Sequence, residues 1–319
     1  MRATRMGHTA RRLLAAASRW EIIAVFERSF YCQSATDGII CAGLTAIGGG
    51  PLNVTWDPPA GFGGIPREMR CGLVADCDGD VLGFENGMAL FLADATLWRP
   101  EPVLQPTAPE HLAARTLRLA RRVAAQRLSE GLGPLIYDLA NPYPSRTAAA
   151  VQGEPLLALA LTGITALEKW LVKGLGRSAQ KWSDPPPSVM TLLGLGPGLT
   201  PSGDDFLGGV LITLRALGQT EAAAKLAEWL LPLARERTSR ISYAHLACAA
   251  RGEGGATLHK VLSMLCTSRA AQMDRCLKAI GRYGHSSGWD ALAGVILAVT
   301  VCLKALGASD ASGRIAFSP

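Results

Sequence analysis

The chain has 319 residues, 49% hydrophobic and 18% charged, which supplies a substantial core and enough length for two domains. Its net charge of +6 is unevenly spread: residues 1 to 20 hold five Arg and no acid, residues 21 to 110 four basic and twelve acidic groups, and residues 111 to 319 twenty-three basic and fourteen acidic. The basic residues are scattered instead of clustered and aromatics are only 6%, so no nucleic-acid partner is expected, and the split suits domain docking or a small anionic ligand on the C-terminal part.

Taken in chain order, the Arg-rich first twenty residues look superficially like a targeting peptide, but the apolar stretch from Leu13 to Ala17 is too short for a secretory signal. A short amphipathic helix belonging to the fold is expected there. From Glu21 to about Trp98 the pattern is β: runs over Ile22 to Cys32 and Gly38 to Leu44 flank Asp37-Gly38, runs over Cys71 to Asp76 and Val81 to Phe84 flank Asp78-Gly79, and Met88 to Leu92 adds a further strand. Hairpins of this kind predict an antiparallel sheet or barrel-like domain. Four prolines between Pro100 and Pro109 read as a linker.

After the linker the chain turns helical, with segments expected over Glu110 to Glu130, Gly153 to Gly174, Gly203 to Leu217, Glu221 to Arg237 (Pro232 marking a kink or break), Ser239 to Arg251, Ala256 to Thr267, Arg269 to Ile280 and Trp289 to Leu306. Trp182 to Ser188, with three consecutive prolines, is a connector. The fold class is therefore α+β, an N-terminal mainly antiparallel β domain over residues 1–105 followed by a larger α-helical domain over 106–319. The uncharged run of the last helix, Ala291 to Leu303, is too short to span a bilayer and reads as a buried core helix, so no membrane partner is expected. Eight Cys without a C-x-x-C, mostly in apolar runs, suggest reduced, buried thiols in a cytoplasmic protein.

The stretch from Gly194 to Gly209, GLGPGLTPSGDDFLGG, looks least like packing material. Glycines allow sharp turns and close approach, and Thr-Pro-Ser is a helix opening, so the segment reads as a loop carrying backbone donors to a helix start, a natural place for an anion. Starting 85 residues later, Ser287 to Gly294 repeats the frame S-G-x-D-x-L-x-G of Ser202 to Gly209, again after glycine and polar residues and before a long apolar helix. Two related loop-to-helix units are expected. The plainer alternative is a capping box, Ser202 with Asp205 and Ser287 with Asp290, each merely stabilising a helix start. Capping leaves Asp204, Thr200 and the glycine series unexplained.

Chemistry of other kinds is not encoded. The P-loop pattern and the dipeptide Gly-Lys never occur, Gly194-x-Gly196-x-Gly198 lacks the spacing and context of a dinucleotide site, H-E-x-x-H is missing, and the five His lie far apart, so neither metal nor cofactor is expected. What remains is a site of helix starts, hydroxyls and carboxylates. Asp204 and Asp205 are adjacent and point about 100° apart on a helix. Trp289 replaces Asp204 in the second copy, which makes Asp205 and Asp290 the shared pair and Asp204 the functional candidate. His285 could be a general acid or an anion donor. Substrate contacts are expected from Gly196, Gly198, Thr200, Ser202, Gly203 and Asp205, and from Ser286, Ser287, Gly288 and Asp290. Asn53, in the turn Gly48 to Asp57, is expected at the rim or as an ordinary turn residue, and the hydroxyls of Thr238 to Ser242 as a helix cap.

At Gly196 to Gly208 and Gly284 to Gly294 the chain resembles the AllH-like family, with weaker likeness at Gly50 to Asn53, Trp98 to Pro100, Thr238 and Ser242. The resemblance implies a subunit of a multicomponent oxamate carbamoyltransferase of allantoin breakdown, which converts oxalurate and phosphate to oxamate and carbamoyl phosphate. Other subunits would then be partners, and phosphate, carbamoyl phosphate or a carboxylate the ligand. No Arg lies inside either motif to hold a phosphate, so a noncatalytic partner subunit or a small-molecule-binding regulatory protein is the alternative.

Overall fold

A computed structural model describes residues 1–58, 63–102, 108–141, 154–176, 182–267 and 272–310, the last three without their side chains. Parts of the expected linker (103–107) and helix starts at 153 and 269–271 lie outside the described residues. The chain divides into two compact units, Met1–Glu101 with Glu253–Thr257, and Pro102–Gly252 with Leu258–Pro319. The architecture is α+β: a curled sheet in the N-terminal part and helices after it.

The first unit carries nine strands: β1 (Ala3–Gly7), β2 (Arg19–Val25), β3 (Ser29–Ser34), β4 (Ile39–Leu44), β5 (Asn53–Trp56), β6 (Val74–Cys77), β7 (Val81–Phe84), β8 (Ala89–Phe91) and β9 (Thr96–Trp98). They form one sheet in the order β8-β7-β6-β2-β3-β4-β5-β1-β9. Most pairings are antiparallel, as the hairpin signals require, but β4–β5 and β1–β9 are parallel. The Phe91 amide donates to the Met1 carbonyl and Arg2 bridges Phe91, so the β8 edge turns back toward the start of β1. Alternation along β3, with Phe30, Cys32 and Ser34 buried and their neighbours half-buried, places Phe30 against Trp56 and Phe84 in the core.

Three differences from expectation have local causes. The run Ile22 to Cys32 is two strands, turning where the Phe26 amide donates to Ser29, without a Gly or Pro to mark it. The expected N-terminal helix exists as α1 (His8–Ala16), but Ala3–Gly7 before it is a strand, and the supposed turn around Asn53 contains β5. Gly7 is where α1 meets the β4–β5 connection: a Cβ there would lie 2.2 Å from the carbonyl oxygens of Gly50 and Pro51. His8 and Thr9, at the head of α1, hydrogen-bond the carboxylate of Glu253.

The second unit holds α2 (Pro109–Ala124), α3 (Ile136–Ala140), α4 (Pro155–Leu175), α5 (Ser202–Ala216), α6 (Thr220–Arg237), α7 (Arg240–Ala249), α9 (Met273–Ile280) and α10 (Ser287–Asp310); α8 (Ala256–Cys266) runs from the first unit's segment into it. Pro232 neither ends nor divides α6. The sequence explains which helices are central. Helices α2 and α9 have one apolar stripe, whereas α5 from Phe206 to Leu214 and α10 from Leu292 to Cys302 are apolar on nearly every side and buried. By length and hydropathy α4 and the Ser287–Gly307 part of α10 could each cross a membrane, but 72% of the α10 window is buried inside the protein, as the core-helix reading of Ala291 to Leu303 expected. No disulfide joins the described cysteines, and burial raises the thiols of Cys41 and Cys302 to about 12, leaving them protonated.

Candidate functional site

The two repeated motifs are the first turns of α5 and α10, and these turns meet backbone to backbone. A Cβ on Gly209 would stand 2.0 Å from the carbonyl oxygen of Ala291, and one on Gly294 would stand 2.0 Å from that of Phe206. Gly209 and Gly294 occupy the same position in the repeat, as do Phe206 and Ala291, so the contact is reciprocal. Gly203 and Gly288, also equivalent, each lie against a carbonyl of the preceding segment, Leu192 and Ile280. The four glycines of the shared frame are therefore required by close approach.

Hydroxyls and carboxyls cross between the copies in the same reciprocal way. The Ser202 hydroxyl hydrogen-bonds Asp290, and the Ser287 hydroxyl hydrogen-bonds Asp205. Each motif's serine thus serves the other motif's aspartate, in place of capping its own helix; Ser202 makes no side-chain cap on α5. Thr200 adds a hydrogen bond to Asp205, and its Oγ1 lies 3.0 Å from Ser287 Oγ, which ties the two loops together. Asp290 accepts from the Leu132 amide (2.6 Å) and Ser286 Oγ (2.8 Å), drawing in the turn at Gly131, where a side chain would collide with the Asp290 carboxylate.

Burial dominates the electrostatics. It holds the Asp205 carboxyl well above the usual carboxylate range; Asp290 and Asp204 nearby push in the same direction, and the hydroxyls of Ser287 and Thr200 only partly offset them. Burial therefore favours the protonated form of Asp205, and its Oδ2 is buried without a hydrogen-bond partner. Asp290 is raised as well, again by burial, against the Leu132 amide and the hydroxyls of Ser286 and Ser202.

Asp204 has a different environment. Its Oδ1 accepts from the Gly194 amide (2.9 Å), and its Oδ2 accepts from Ser242 Oγ (2.7 Å) and Thr238 Oγ1. This carboxylate, 1% exposed, joins the glycine loop, α5 and the start of α7. The cap expected within Thr238 to Ser242 is Ser239, which caps α7 by accepting from the Ser242 amide at 3.0 Å. Its neighbours' hold on Asp204 had no signal in the sequence, because the partners lie 34 and 38 residues away. Gly194, Gly196 and Gly198 all have positive φ, between 70° and 111°, so this loop needs glycine for its backbone path.

The remaining expected residues are placed apart. His285 is 85% exposed on its side chain and pairs with Glu130 at 2.6 Å; among the described residues no hydrogen bond joins it to Thr200, Asp205 or Ser287. Asn53 lies in the first unit, with its Nδ2 donating to the Gly48 carbonyl at 3.0 Å. The amides of Gly203 and Gly288 donate to Leu195 and Tyr283, and those of Asp204, Asp205, Trp289 and Asp290 donate to carbonyls one turn back. Thr200, next to the exposed Pro197 to Leu199, is half-buried, as are Ser286 and Ser287. Gly284 to Gly288 also spells G-x-S-x-G, with Ser286 central. It links two helices instead of the strand and helix of a nucleophile elbow, and the Ser286 hydroxyl donates to Asp290.

Comparison with protein families decides one point. Residues 192–299 match the family of oxamate carbamoyltransferase subunit AllH. The matched segment runs from the start of the glycine loop to the middle of α10, so it contains the whole reciprocal contact, and the resemblance at the two motifs is borne out there. No curated protein and no solved structure matches the chain. The AllH match connects this segment to carbamoyltransferase subunits.

Proposed function

We propose that the chain is a cytoplasmic subunit of a carbamoyltransferase in allantoin-related nitrogen metabolism, working with other subunits on a small anionic substrate. The observation that carries this reading is that the AllH match covers the α5–α10 contact and its hydroxyl–carboxyl cluster as one unit. Two helix N-termini converge there, each with a partial positive end. Burial raises the pKa of Asp205 beside the Thr200–Ser287 pair and so disfavours the negative charge that would repel an anion. Phosphate, carbamoyl phosphate or the carboxylate of oxalurate would take hydrogen bonds from Thr200 and Ser287. Asp205 is a positioning residue in this reading, and His285, oriented by Glu130, is the group at the surface able to pass a proton.

A noncatalytic role within the same assembly is favoured by a separate observation: the first turns of α5 and α10 already carry Asp204 and Asp290, which accept from the amides of Gly194 and Leu132 inside the protein. Thermal unfolding with phosphate, carbamoyl phosphate, oxamate and oxalurate separates the two. Ligand at about 100 times its dissociation constant stabilises the native state by roughly 2.7 kcal/mol. Under the first reading the shift occurs in the wild type and disappears in Thr200→Val/Ser287→Ala. No shift with any of the four, together with an inert isolated chain that copurifies with partner subunits, would replace it by the second.

A further inference from the structure

Helix α4 carries a cavity that neither glycine motif touches. It has a volume of about 420 Å³, within the range of small-molecule sites, and lies between one face of α4 and the connector Trp182 to Ser188. Residues Thr162, Thr165, Lys169 and Lys173 recur at helical spacing, so they share that face, while Asp184 and Pro186 form the opposite wall.

The wall is built in advance of any ligand. Consecutive prolines from Pro185 to Pro187 restrict the connector's backbone. Trp170 Nε1 donates to the Ser183 carbonyl at 3.0 Å, and the rings of Trp170 and Trp182 lie 4.7 Å apart. Gly174 makes room for this arrangement: a Cβ there would stand 2.2 Å from the Trp182 ring.

The charge facing the cavity is positive. Lys169 and Lys173 have exposed side chains, and among the described residues neither has an acidic partner. The lining acid, Asp184, is paired with Lys225 at 3.2 Å, and Lys225 also meets Glu228 at 3.2 Å. Two uncompensated ammonium groups one turn apart repel each other, so a ligand that bridges them relieves a small cost in the free protein.

We propose that this cavity binds a small organic anion, with its phosphate or carboxylate between Lys169 and Lys173 and a flat apolar body against Trp170 and Pro186. The site is independent of the glycine loop and of the function proposed for it. The cavity is too small for a folded partner, and a bare inorganic ion would leave its apolar wall unused.

Saturation-transfer NMR on the full chain with phenyl phosphate, benzoate and phenol tests the proposal. Both charged probes are expected to bind at least about tenfold more tightly than phenol, a difference of about 1.4 kcal/mol, and to weaken as salt is raised. Lys169→Gln/Lys173→Gln should remove that advantage while leaving the melting temperature unchanged or raised, since both side chains are exposed and like-charged. Thr200→Val/Ser287→Ala should leave it intact. Equal binding of phenol and the charged probes, or wild-type affinity in the lysine double variant, overturns the inference. Loss of the charged-probe signal in the glycine-loop variant instead would place the anion there, overturning this site and supporting the other.

Discussion

The two loop-to-helix motifs share a frame, a reciprocal backbone contact and a crossed serine–aspartate exchange, yet of the three positions at which they differ one changes from a carboxyl to an indole. In the first copy Asp204 is buried in three hydrogen bonds; in the second Trp289 is buried against the turns at Gly133 and Gly281. One copy anchors its loop by polar bonds to a distant helix, the other by apolar packing. Both solutions leave the shared residues in the same arrangement. The difference teaches that the frame S-G-x-D-x-L-x-G encodes the helix pairing, while its first variable position encodes how each copy is fastened to its surroundings.

The comparison can be tested in descending order of effect by urea unfolding. Trp289→Ala should cost the most, about 4 kcal/mol, as expected for removing a buried aromatic. Gly209→Ala and Gly294→Ala should each cost about 3 kcal/mol through overpacking, and by closely similar amounts. If one is harmless and the other severe, the contact is not reciprocal. Asp204→Ala leaves two hydroxyls and an amide without their acceptor and should cost about 2 to 3 kcal/mol. Ser202→Ala and Ser287→Ala should cost about 1 kcal/mol each. A cost confined to Ser202→Ala would show that only one serine crosses.

The smallest effect at acid pH, and the most diagnostic one, belongs to Asp205. Its folded pKa is raised, so the native state binds a proton that the unfolded chain releases from about pH 3.9 upward. Its contribution is complete below that pH and is lost as pH rises through the folded value. Asp205→Asn should therefore match the wild type near pH 3 and become progressively more stable than it as pH increases. Parallel stability curves for the two proteins across this range would mean that Asp205 is ionised in the native state.

Much of this was legible in the residues. The α+β division, the helical segments and the buried character of the last helix follow from periodicity and composition, which act over a few turns of chain. The turn at Phe26 to Ser29 was not, because it lacks Gly or Pro, and the short strands β1 and β9 were hidden because they depend on partners far along the chain. At the candidate site, the repeat picked out the residues that meet, Ser202, Asp205, Ser287 and Asp290. It could not say that the serines cross between copies, since a capping box and a crossed pair have the same spelling.

Asp204 shows where local reasoning stops. Its replacement by Trp289 marked the position as special, but the hydroxyls that surround it come from Thr238 and Ser242, and only folding brings them together. Glycine placement, helical periodicity and the repeated frame determined which segments turn, which are helices and which two must pair, because those are consequences of backbone sterics and short-range apolar patterning. Which carboxyl has its pKa raised by burial, which hydroxyls hold which carboxyl and which side chains share a cavity were decided by the tertiary structure alone. Burial and hydrogen-bond partners are properties of atoms brought close in space, and residues distant in sequence supply nearly all of them.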